Sequence, residues 1–259
     1  LSSKSIMNLE GKVAIVTGAS RGIGKAIALA FAGEGANVIV AARSETEGRL
    51  PGTIYETVEE IHAFGGSALA IRTNVMDEEE VSDMVRKVLK QYRHVDILVN
   101  NAGIGAPGTI AELSVGRWDL VVGVNLRGTF LCTKAVLPSM MKQKNGNIIN
   151  LSSILGTRVI SGGVPYGMTK AAIERFTMGL AREVKEHNIA VNALCPSYTD
   201  TDGFRMFRSD ADRSSLQRPE IWGKYAVFLA CQDATHLTGK CLTAEEFEKL
   251  SSGSPNLEE

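Results

Sequence analysis

The fold is decided by one stretch of the sequence, Lys12-Val-Ala-Ile-Val-Thr-Gly-Ala-Ser-Arg-Gly-Ile-Gly24. Residues 12–17 form a short β-branched run without alternation, which is typical of a buried strand. A glycine-rich turn follows at once, and residues 25–34 show the apolar spacing of a helix. A strand that enters a glycine turn and then a helix predicts the first unit of a parallel α/β sheet.

This glycine turn, residues 18–24, has the chemistry of a site for the phosphates of a dinucleotide. Glycines let the backbone approach a pyrophosphate, and the following helix N-terminus offers free N–H groups and the positive end of its dipole. The spacing of Gly18, Gly22 and Gly24 is G-x-x-x-G-x-G, which differs from the more common G-x-G-x-x-G. A purely structural turn is the alternative, but the position in a first βα unit favours dinucleotide binding.

The end of the second predicted strand, residues 37–42, indicates which dinucleotide binds. An NAD site would be expected to end this strand with an acidic residue for the ribose 2′-hydroxyl. Arg43 stands there instead, and Arg21 lies in the glycine turn. Two arginines near one ribose suit a 2′-phosphate. We therefore expect NADP(H), with NAD(H) as the alternative if Arg43 is only a solvated loop charge.

Strands and helices alternate along the rest of the chain. Further strands are predicted over residues 67–73, 95–100, 147–151, 189–194 and 240–243, and helices over 53–64, 77–92, 114–141, 166–187 and 220–230. This alternation predicts a single α/β domain, a doubly wound seven-stranded parallel sheet with helices on both faces. The domain is assigned to residues 8–243, and residues 244–259 are predicted to form a flexible tail.

Composition and charge exclude several kinds of partner. The formal net charge of −1 provides no field for nucleic acid or an anionic membrane. No apolar run reaches the roughly 18 residues of a membrane span, and residues 1–10 lack the pattern of a secretory signal. The four cysteines and four histidines have no metal-ligand spacing, so we expect no metal site and buried, reduced thiols in a cytoplasmic protein.

A second motif indicates proton transfer. Tyr166 and Lys170 are four residues apart in a predicted helix, so their side chains share one face. A nearby ammonium lowers the pKa of a tyrosine from about 10 towards neutrality, which suits proton exchange with a carbonyl or alcohol oxygen. Ser153, after an apolar run, is placed to hydrogen-bond the same oxygen. Taken alone, the pair is also compatible with a solvated helix surface.

The predicted topology brings the two motifs together. Ligands of doubly wound sheets bind at the carboxyl ends of the strands, near the switch point. The residues that follow predicted strands are the glycine turn, Arg43, Asn74, Asn101, Ser153 and Pro196. This convergence favours a catalytic interpretation of Tyr166 and Lys170 over a solvated pair.

These motifs resemble those of the short-chain dehydrogenase/reductase family, whose fold is a Rossmann fold. The resemblance covers residues 8–243 and rests on the glycine turn, Asn100-Asn-Ala-Gly103, Asn125, Ser153, Tyr166, Lys170 and the segment 196–201. Within the family, three segments resemble the hydroxysteroid dehydrogenase-like protein 2 branch: Gly52-Thr-Ile-Tyr55, Glu59-Glu-Ile61 and Val191-Asn-Ala-Leu194. The sterol-carrier domain of that branch and a C-terminal Ser-Lys-Leu signal are absent, which agrees with the expected cytoplasmic location.

The resemblance implies a role for each matching residue. Tyr166 would be the general acid/base and Ser153 would position the substrate oxygen. Lys170 would lower the pKa of the tyrosine and hold the nicotinamide ribose, and Asn125 would bind a water that continues the proton relay. The implied cofactor-binding residues are Gly18, Ser20, Arg21, Gly22, Ile23, Gly24, Ala42, Arg43, Asn74, Val75, Asn101, Ala102, Gly103, Tyr166, Lys170, Pro196, Thr199 and Thr201. A homodimer or homotetramer, assembled through the helices of Ser114 and Tyr166, is also implied.

The implied reaction is NADP(H)-dependent reduction of a lipophilic ketone or aldehyde, or oxidation of the matching secondary alcohol. A lid over residues 201–217 is expected to select the substrate, with Phe204, Met206 and Phe207 apolar and with Arg205 and Arg208 facing an acidic group or solvent. The alternatives are an NADP(H)-binding regulatory protein without turnover and a nucleotide-sugar epimerase or dehydratase. The intact catalytic set argues against the first, and Arg43 argues against the second.

Three departures from the family pattern qualify this resemblance. The usual Pro-Gly after the sixth strand is Pro196-Ser197, and the usual Asp at the adenine is Asn74. The amide of Asn74 still offers an acceptor oxygen. The usual Val-Asp-Gly-Gly is replaced by Leu242-Thr-Ala-Glu-Glu246, which puts the subunit contacts near the C-terminus in doubt but not the chemistry.

Overall fold

The computed structural model describes residues 8–207 and 212–251. Its strands are β1 Val13–Thr17, β2 Asn37–Ala42, β3 Ser67–Arg72, β4 Ile97–Asn100, β5 Gly146–Leu151, β6 Ile189–Leu194 and β7 Cys241–Leu242. They form one parallel sheet in the order β3-β2-β1-β4-β5-β6-β7. The order reverses between β1 and β4, so the switch point lies at the end of the glycine-turn strand. The predicted seven-stranded, doubly wound parallel sheet is confirmed.

Helices cover both faces of the sheet. Their bounds are α1 Gly22–Gly33, α2 Ile54–Ala63, α3 Glu78–Tyr92, α4 Val115–Val122, α5 Gly128–Gln143, α6 Val164–Glu183, α7 Asp202–Phe207, α8 Pro219–Ala230 and α9 Ala244–Ser251. On one face α1 and α8 bury Phe31 and Trp222, and on the other α3 and α5 bury Met84 and Met140. Full burial of such side chains contributes about 1.5–3 kcal/mol each, so the two layers hold the strand ends in register.

Two predicted helix starts differ in how they are capped. Thr53 forms a complete capping box with Glu56 at the start of α2. Asp77 caps α3, but Glu80 does not complete a box, because its carboxylate accepts the backbone N–H of Asn74 at 2.8 Å. The Glu80 carboxylate therefore holds the loop after β3, where the adenine is expected.

The predicted long helix of residues 114–141 is divided by a π-helical turn, Gly123–Arg127, between α4 and α5. The stretch 115–143 is long and apolar enough to span a membrane by length and composition alone. Its inner face, however, includes Leu131, Cys132 and Val136, which pack into the core beside the sheet. This is the pattern of a core helix, and Asn125 lies within its π turn.

The first part of the predicted tail is an ordered helix. Phe247 of α9 is 3% exposed and stacks on Tyr225 with ring centroids 4.3 Å apart. The hydroxyl of Thr243 and the carboxylate of Glu246 cap the start of this helix. The prediction of a flexible tail is therefore wrong for residues 244–251. The segment is largely acidic, and the one apolar side chain that anchors it is a weak signal in the sequence. Residues 252–259 lie outside the described residues.

The cysteines are less uniformly buried than predicted. Cys132 and Cys195 are buried, whereas Cys241 is half-buried and Cys231, at the end of α8, is exposed. Burial raises the pKa of Cys132 to about 12, which keeps that thiol protonated. Within the described ranges, no group of three His, Cys, Asp or Glu side chains is placed to hold a metal ion.

Candidate active site

The glycine turn is closed to side chains by its neighbours. Gly18 has φ +65°, and a Cβ there would lie 2.9 Å from the Cα of Ala102. A Cβ on Gly24 would collide with the amide of Asn101 and lie 2.5 Å from the carbonyl oxygen of Gly18. Larger residues would therefore push apart the turn and the loop after β4, the two segments that meet at the switch point.

The first turn of α1 is open to an anion. Arg21 is the N-cap residue, no side chain caps the helix, and the first turn contains no acidic residue. The N-terminal N–H groups of a helix lack intrahelical acceptors and lie at the positive end of its dipole. The close backbone approach and these donors fit the pyrophosphate of a dinucleotide. The methyl group of Thr201 lies beside Gly22, so the segment after β6 forms the opposite wall.

The sequence analysis did not identify Thr17, which organises the loop after β4. Its hydroxyl accepts the backbone N–H groups of Asn101 at 3.0 Å and Ala102 at 3.1 Å, and it donates to the carbonyl of Val99. The side-chain amide of Asn101 donates to the carbonyls of Thr17 and Gly18. Asn101 therefore links the loop after β4 to the glycine turn through its side chain. For Thr17, the signal in the sequence was a hydroxyl residue at the end of an apolar strand.

The predicted catalytic residues come together at the ends of β5 and β6. The Nζ of Lys170 lies 5.3 Å from the centre of the Tyr166 ring and donates to the carbonyl of Leu151 at 2.5 Å. Ser153 hydrogen-bonds Tyr166, and its hydroxyl also donates to the carbonyl of Pro196 at 3.4 Å. A serine, a tyrosine and a lysine thus lie close together at this edge of the sheet.

The ionisation of this cluster differs from the prediction. Burial raises the pKa of Tyr166 to about 12, although its hydrogen bond with Ser153 acts in the opposite direction. Burial also lowers the pKa of Lys170 to about 8, with Cys195 and Glu174 acting to raise it. The predicted fall in the tyrosine pKa is therefore wrong for this state, because desolvation of the phenolate outweighs an ammonium that is bound to Leu151.

Asn125 connects two walls of the site. Its side chain is fully buried, accepts the N–H of Ile104 at 2.9 Å and donates to the carbonyl of the same residue at 3.0 Å. The amide also donates to the hydroxyl of Thr169, next to Lys170, at 2.9 Å. The backbone carbonyl of Asn125 accepts the hydroxyl of Thr129 at 2.8 Å.

Two predicted cofactor residues direct their side chains elsewhere. The hydroxyl of Thr199 donates to the carbonyl of Ser197 and accepts the indole N–H of Trp222 at 3.2 Å, so it faces the core. The Arg21 guanidinium binds backbone carbonyls of the segment that precedes α2. Neither arrangement is visible in sequence spacing, because the partners are distant in the chain.

The other predicted cofactor residues lie at the carboxyl edge of the sheet. Arg43 is exposed at the end of β2, and the amide oxygen of Asn74 accepts the N–H of Met76 at 3.2 Å. A Cβ on Gly103 would lie 3.5 Å from the side-chain oxygen of Asn125 and 3.6 Å from the Nζ of Lys170. The remaining predicted residues are Ile23, in the first turn of α1, and five that end strands or lie in the loops after them: Ser20, Ala42, Val75, Ala102 and Pro196.

A carboxylate that the sequence analysis overlooked lies beside Lys170. Glu174 follows Lys170 by one helical turn and accepts the hydroxyl of Ser152 at 2.6 Å. That hydroxyl also lies 3.2 Å from the carbonyl of Lys170. The i, i+4 spacing that relates Tyr166 to Lys170 also relates Lys170 to Glu174, so the signal was present in the sequence.

The predicted lid is partly described. Tyr198 and Phe204 have ring centroids 5.5 Å apart, and Met206 is exposed. Arg205 forms a two-bond ion pair with Asp200, so its charge is already matched within the lid. Arg208 lies outside the described residues, and for Phe207 only the backbone is described, at the end of α7.

The turn for a pyrophosphate and the proton-transferring cluster occupy one edge of the sheet, which defines the class of protein as a dinucleotide-dependent oxidoreductase. The family profile described as short chain dehydrogenase matches residues 12–212. The chain therefore belongs to the short-chain dehydrogenase/reductase family and is an NAD(P)-dependent oxidoreductase that acts on CH–OH groups, as predicted. No comparison distinguishes a branch within the family, so the branch-level resemblance stays a prediction.

Similar proteins of known name agree with this membership. The 3-oxoacyl-[acyl-carrier-protein] reductase FabG of Thermotoga maritima is 35% identical over 244 residues, which are 91% of this chain and 97% of the relative. The 3-oxoacyl-[acyl-carrier-protein] reductase of Synechocystis sp. is 42% identical over 195 residues, 75% of this chain and 76% of the relative. A Beutenbergia cavernae protein, provisionally described as an NAD(P)-dependent gluconate 5-dehydrogenase, has a solved structure with NADP at low occupancy. That structure superposes with a TM-score of 0.84 at 32% identity, covering 92% of this chain and 97% of that one.

Proposed function

We propose that the protein is an NADP(H)-dependent ketoreductase whose substrate is a 3-oxoacyl thioester, reduced at its keto carbon or formed from the matching secondary alcohol. The single observation that carries the proposal is the meeting of Ser153, Tyr166 and Lys170 below loops with exposed apolar side chains. The reaction class follows from the cluster, and the substrate class follows from these loops and from the relatives named 3-oxoacyl-[acyl-carrier-protein] reductase.

The rim of the site is apolar. The loop before α6 exposes Val159 and Ile160, which are 95% and 41% exposed. A Cβ on Gly162 in this loop would lie 3.6 Å from the backbone of Gly108, so it borders the segment after β4. Tyr198, after β6, is also exposed. An acyl chain matches this rim better than a sugar acid, the substrate class named for the Beutenbergia cavernae protein.

In the proposed reaction, bound NADPH supplies the hydride for the keto carbon. Ser153 donates a hydrogen bond to the keto oxygen, and the Tyr166 hydroxyl gives that oxygen its proton as negative charge develops there. The ammonium of Lys170, close to the phenol ring, stabilises the phenolate that remains. We assign Asn125 to the binding of a water that returns the proton.

The preference for NADP(H) is supported at the end of β2. Arg43 follows the strand directly, in the position where an acidic residue would bind a ribose 2′-hydroxyl. An acidic residue there would repel a 2′-phosphate, whereas a guanidinium attracts it. The similar Beutenbergia cavernae structure contains NADP, which supports the same cofactor.

A homodimer or homotetramer is proposed on the basis of two helix surfaces. Phe130 of α5 is 49% exposed, and Met168 and Met178 of α6 are 37% and 40% exposed. Exposed large apolar side chains on neighbouring helices are typical of a contact between subunits. The cytoplasmic location also stays a prediction.

The test is NADPH oxidation by the purified protein with a defined substrate panel. It contains 3-oxoacyl N-acetylcysteamine thioesters of two chain lengths, a simple aldehyde and a diketone, with NADH in parallel and with gluconate oxidation in the reverse direction. We expect the highest kcat/KM with NADPH and the longer thioester, because the rim is apolar. Turnover of gluconate without turnover of either thioester would refute the substrate class and favour the sugar-acid reaction. Tight NADPH binding without turnover across the panel would favour the regulatory alternative.

A further inference from the structure

We infer that Glu174 is a positioning residue for the substrate end of the site. Its carboxylate fastens Ser152 and the turn Ile154–Gly156 to α6, and the anchored backbone sets where the Ser153 hydroxyl meets the keto oxygen. The inference rests on the proposed ketoreductase function and assigns the orientation of Ser153 to a residue that acts through its neighbours.

The hydroxyl of Ser152 provides the first link. Ser152 is 3% exposed, and its hydroxyl donates to the Oε1 of Glu174 at 2.6 Å. That hydroxyl has a single proton, and the carbonyl of Lys170 is the more distant acceptor at 3.2 Å. A bond from a hydroxyl to a carboxylate is charge-assisted and about twice as strong as a neutral one. The residue directly before Ser153 is therefore held by α6, one helical turn beyond Lys170.

The turn that follows Ser153 lies on the same carboxylate. A Cβ on Gly156 would collide with the Oε1 of Glu174. Two helical turns earlier on the same face of α6, a Cβ on Gly167 would lie 2.8 Å from the carbonyl oxygen of Leu155. The backbone of the turn therefore contacts α6 at two points, and Glu174 is the side chain at the second of them.

The bonds of Ser153 itself lead to this turn. Its hydroxyl accepts the N–H of Leu155 at 3.2 Å, and its carbonyl accepts the N–H of Gly156 at 2.8 Å. The bond that the hydroxyl donates to the carbonyl of Pro196 is long, at 3.4 Å, so it holds the hydroxyl only weakly. The place of the hydroxyl beside Tyr166 is therefore set by the backbone of the turn, and release of the turn from α6 would move it.

The surroundings of the Glu174 carboxylate favour positioning over charge pairing. The carboxylate forms no ion pair within residues 8–207 and 212–251. The Nζ of Lys170 donates instead to the carbonyl of Leu151 at 2.5 Å. A second polar neighbour is the thiol of Cys195, whose Sγ lies 3.6 Å from the same Oε1. The site therefore requires an acceptor oxygen at this place, and an amide side chain would offer one as well.

Variants at both ends of the Ser152–Glu174 bond test the inference. Glu174→Leu removes the acceptor, Ser152→Ala removes the donor, and Glu174→Gln keeps an acceptor oxygen without the charge. The values of kcat and KM are measured with NADPH and the longer 3-oxoacyl thioester at about pH 6, well below the pKa of Lys170 at about 8.

We expect kcat to fall about tenfold or more in Glu174→Leu and in Ser152→Ala, as for a small displacement of a positioned group. In Glu174→Gln kcat should stay within about threefold of the original, because the amide oxygen still accepts the Ser152 hydroxyl. The control Glu183→Leu, at the exposed far end of α6, should leave kcat unchanged. An equal fall in Glu174→Gln and Glu174→Leu would overturn the inference, because the charge and not the bond would then matter.

A double-variant comparison separates the positioning of Ser153 from a general structural role. In a Ser153→Ala background, Glu174→Leu should change kcat by less than about twofold, because the hydroxyl that it positions is already absent. An equal fall in kcat with and without the Ser153 hydroxyl would show that Glu174 acts on something else. If Glu174→Leu does not fold, Ser152→Ala in the same two backgrounds makes the same comparison.

Hydrogen exchange reports on the turn without any turnover. The exchange of the backbone N–H groups of residues 154–158 is followed by mass spectrometry. We expect faster exchange in Glu174→Leu and Ser152→Ala, and the original rate in Glu174→Gln and Glu183→Leu, because only the first two variants release the turn from α6. Unchanged exchange in Ser152→Ala would overturn the anchoring. If the unaltered protein reduced no thioester, the proposed function would fail, while the exchange rates would still test the anchoring.

Discussion

The two ends of the site are built in opposite ways. The phosphate end depends on the absence of side chains, because at Gly18 and Gly24 even a Cβ would strike the loop after β4. The catalytic end depends on side chains that are partly or fully buried, with Lys170 only 4% exposed. The first end should therefore be sensitive to atoms that are added, and the second to single groups that are removed.

Charge is also handled differently at the two ends. The proposed phosphate end offers its ligand backbone N–H groups and a helix dipole, whose strength does not depend on pH. The catalytic end uses titratable groups, and burial shifts the pKa of Tyr166 upward and that of Lys170 downward. Changes in pH should therefore act on turnover well before they act on the binding of phosphates.

The largest effect is expected at the catalytic end. Tyr166→Phe removes one hydroxyl and should lower kcat by about 10²–10⁴-fold, the range for loss of a general acid. The dissociation constant of NADPH should change by less than about twofold, because the phosphate end is untouched. Steady-state kinetics and cofactor titration on the same preparation check both values. Residual activity within tenfold of the original would mean that another group donates the proton.

An added methyl group tests the other end. Gly24→Ala places a Cβ against Asn101 and the carbonyl of Gly18, and overpacking of this kind costs about 1–3 kcal/mol of stability. NADPH binding should weaken as well. Titration measures the dissociation constant of NADPH, and urea unfolding measures the loss of stability. Gly33→Ala is the matched control on the same helix, since nothing lies within 4 Å of its Cβ. The free energy of unfolding of the control should be unchanged or up to about 1 kcal/mol higher. Equal effects of the two changes would show that close packing at Gly24 does not limit this end of the site.

The smallest effect concerns the pH profile of reduction. The pKa of Lys170 is about 8, so kcat/KM should be full below this pH and should fall as the pH rises through it and the ammonium is lost. Tyr166, with a pKa of about 12, stays protonated over the same range. Glu174→Gln removes a negative charge that raises the pKa of Lys170, so the falling limb should move to lower pH.

Glu183→Gln is the control for this shift, because it makes the same change in charge at the exposed far end of α6. The profile of this variant should coincide with that of the unaltered protein. If kcat/KM of Glu174→Gln falls at the same pH as that of the unaltered protein, the carboxylate beside Ser152 does not shift the pKa of Lys170. It would then act only through the hydrogen bond that holds the end of β5.

Much of the site was predictable because its signals are local. The glycine turn lies between one strand and one helix, and Tyr166 and Lys170 are one helical turn apart. Glu174 was equally predictable by the same spacing and was overlooked. The ordered helix α9 was not predicted, because one buried Phe247 in an acidic segment is a weak signal until Tyr225 is known to lie beneath it.

The strand and helix order, the doubly wound sheet and the residue types at its carboxyl edge could all be predicted from the sequence. These follow from hydrophobic periodicity and from chain connectivity, which are properties of neighbouring residues. Three features emerge only in the folded chain: the direction of the shift in the tyrosine pKa, the core-facing hydroxyl of Thr199 and the partners of Arg21. Desolvation and side-chain hydrogen bonds depend on groups that are distant in the chain, and packing alone brings those groups together.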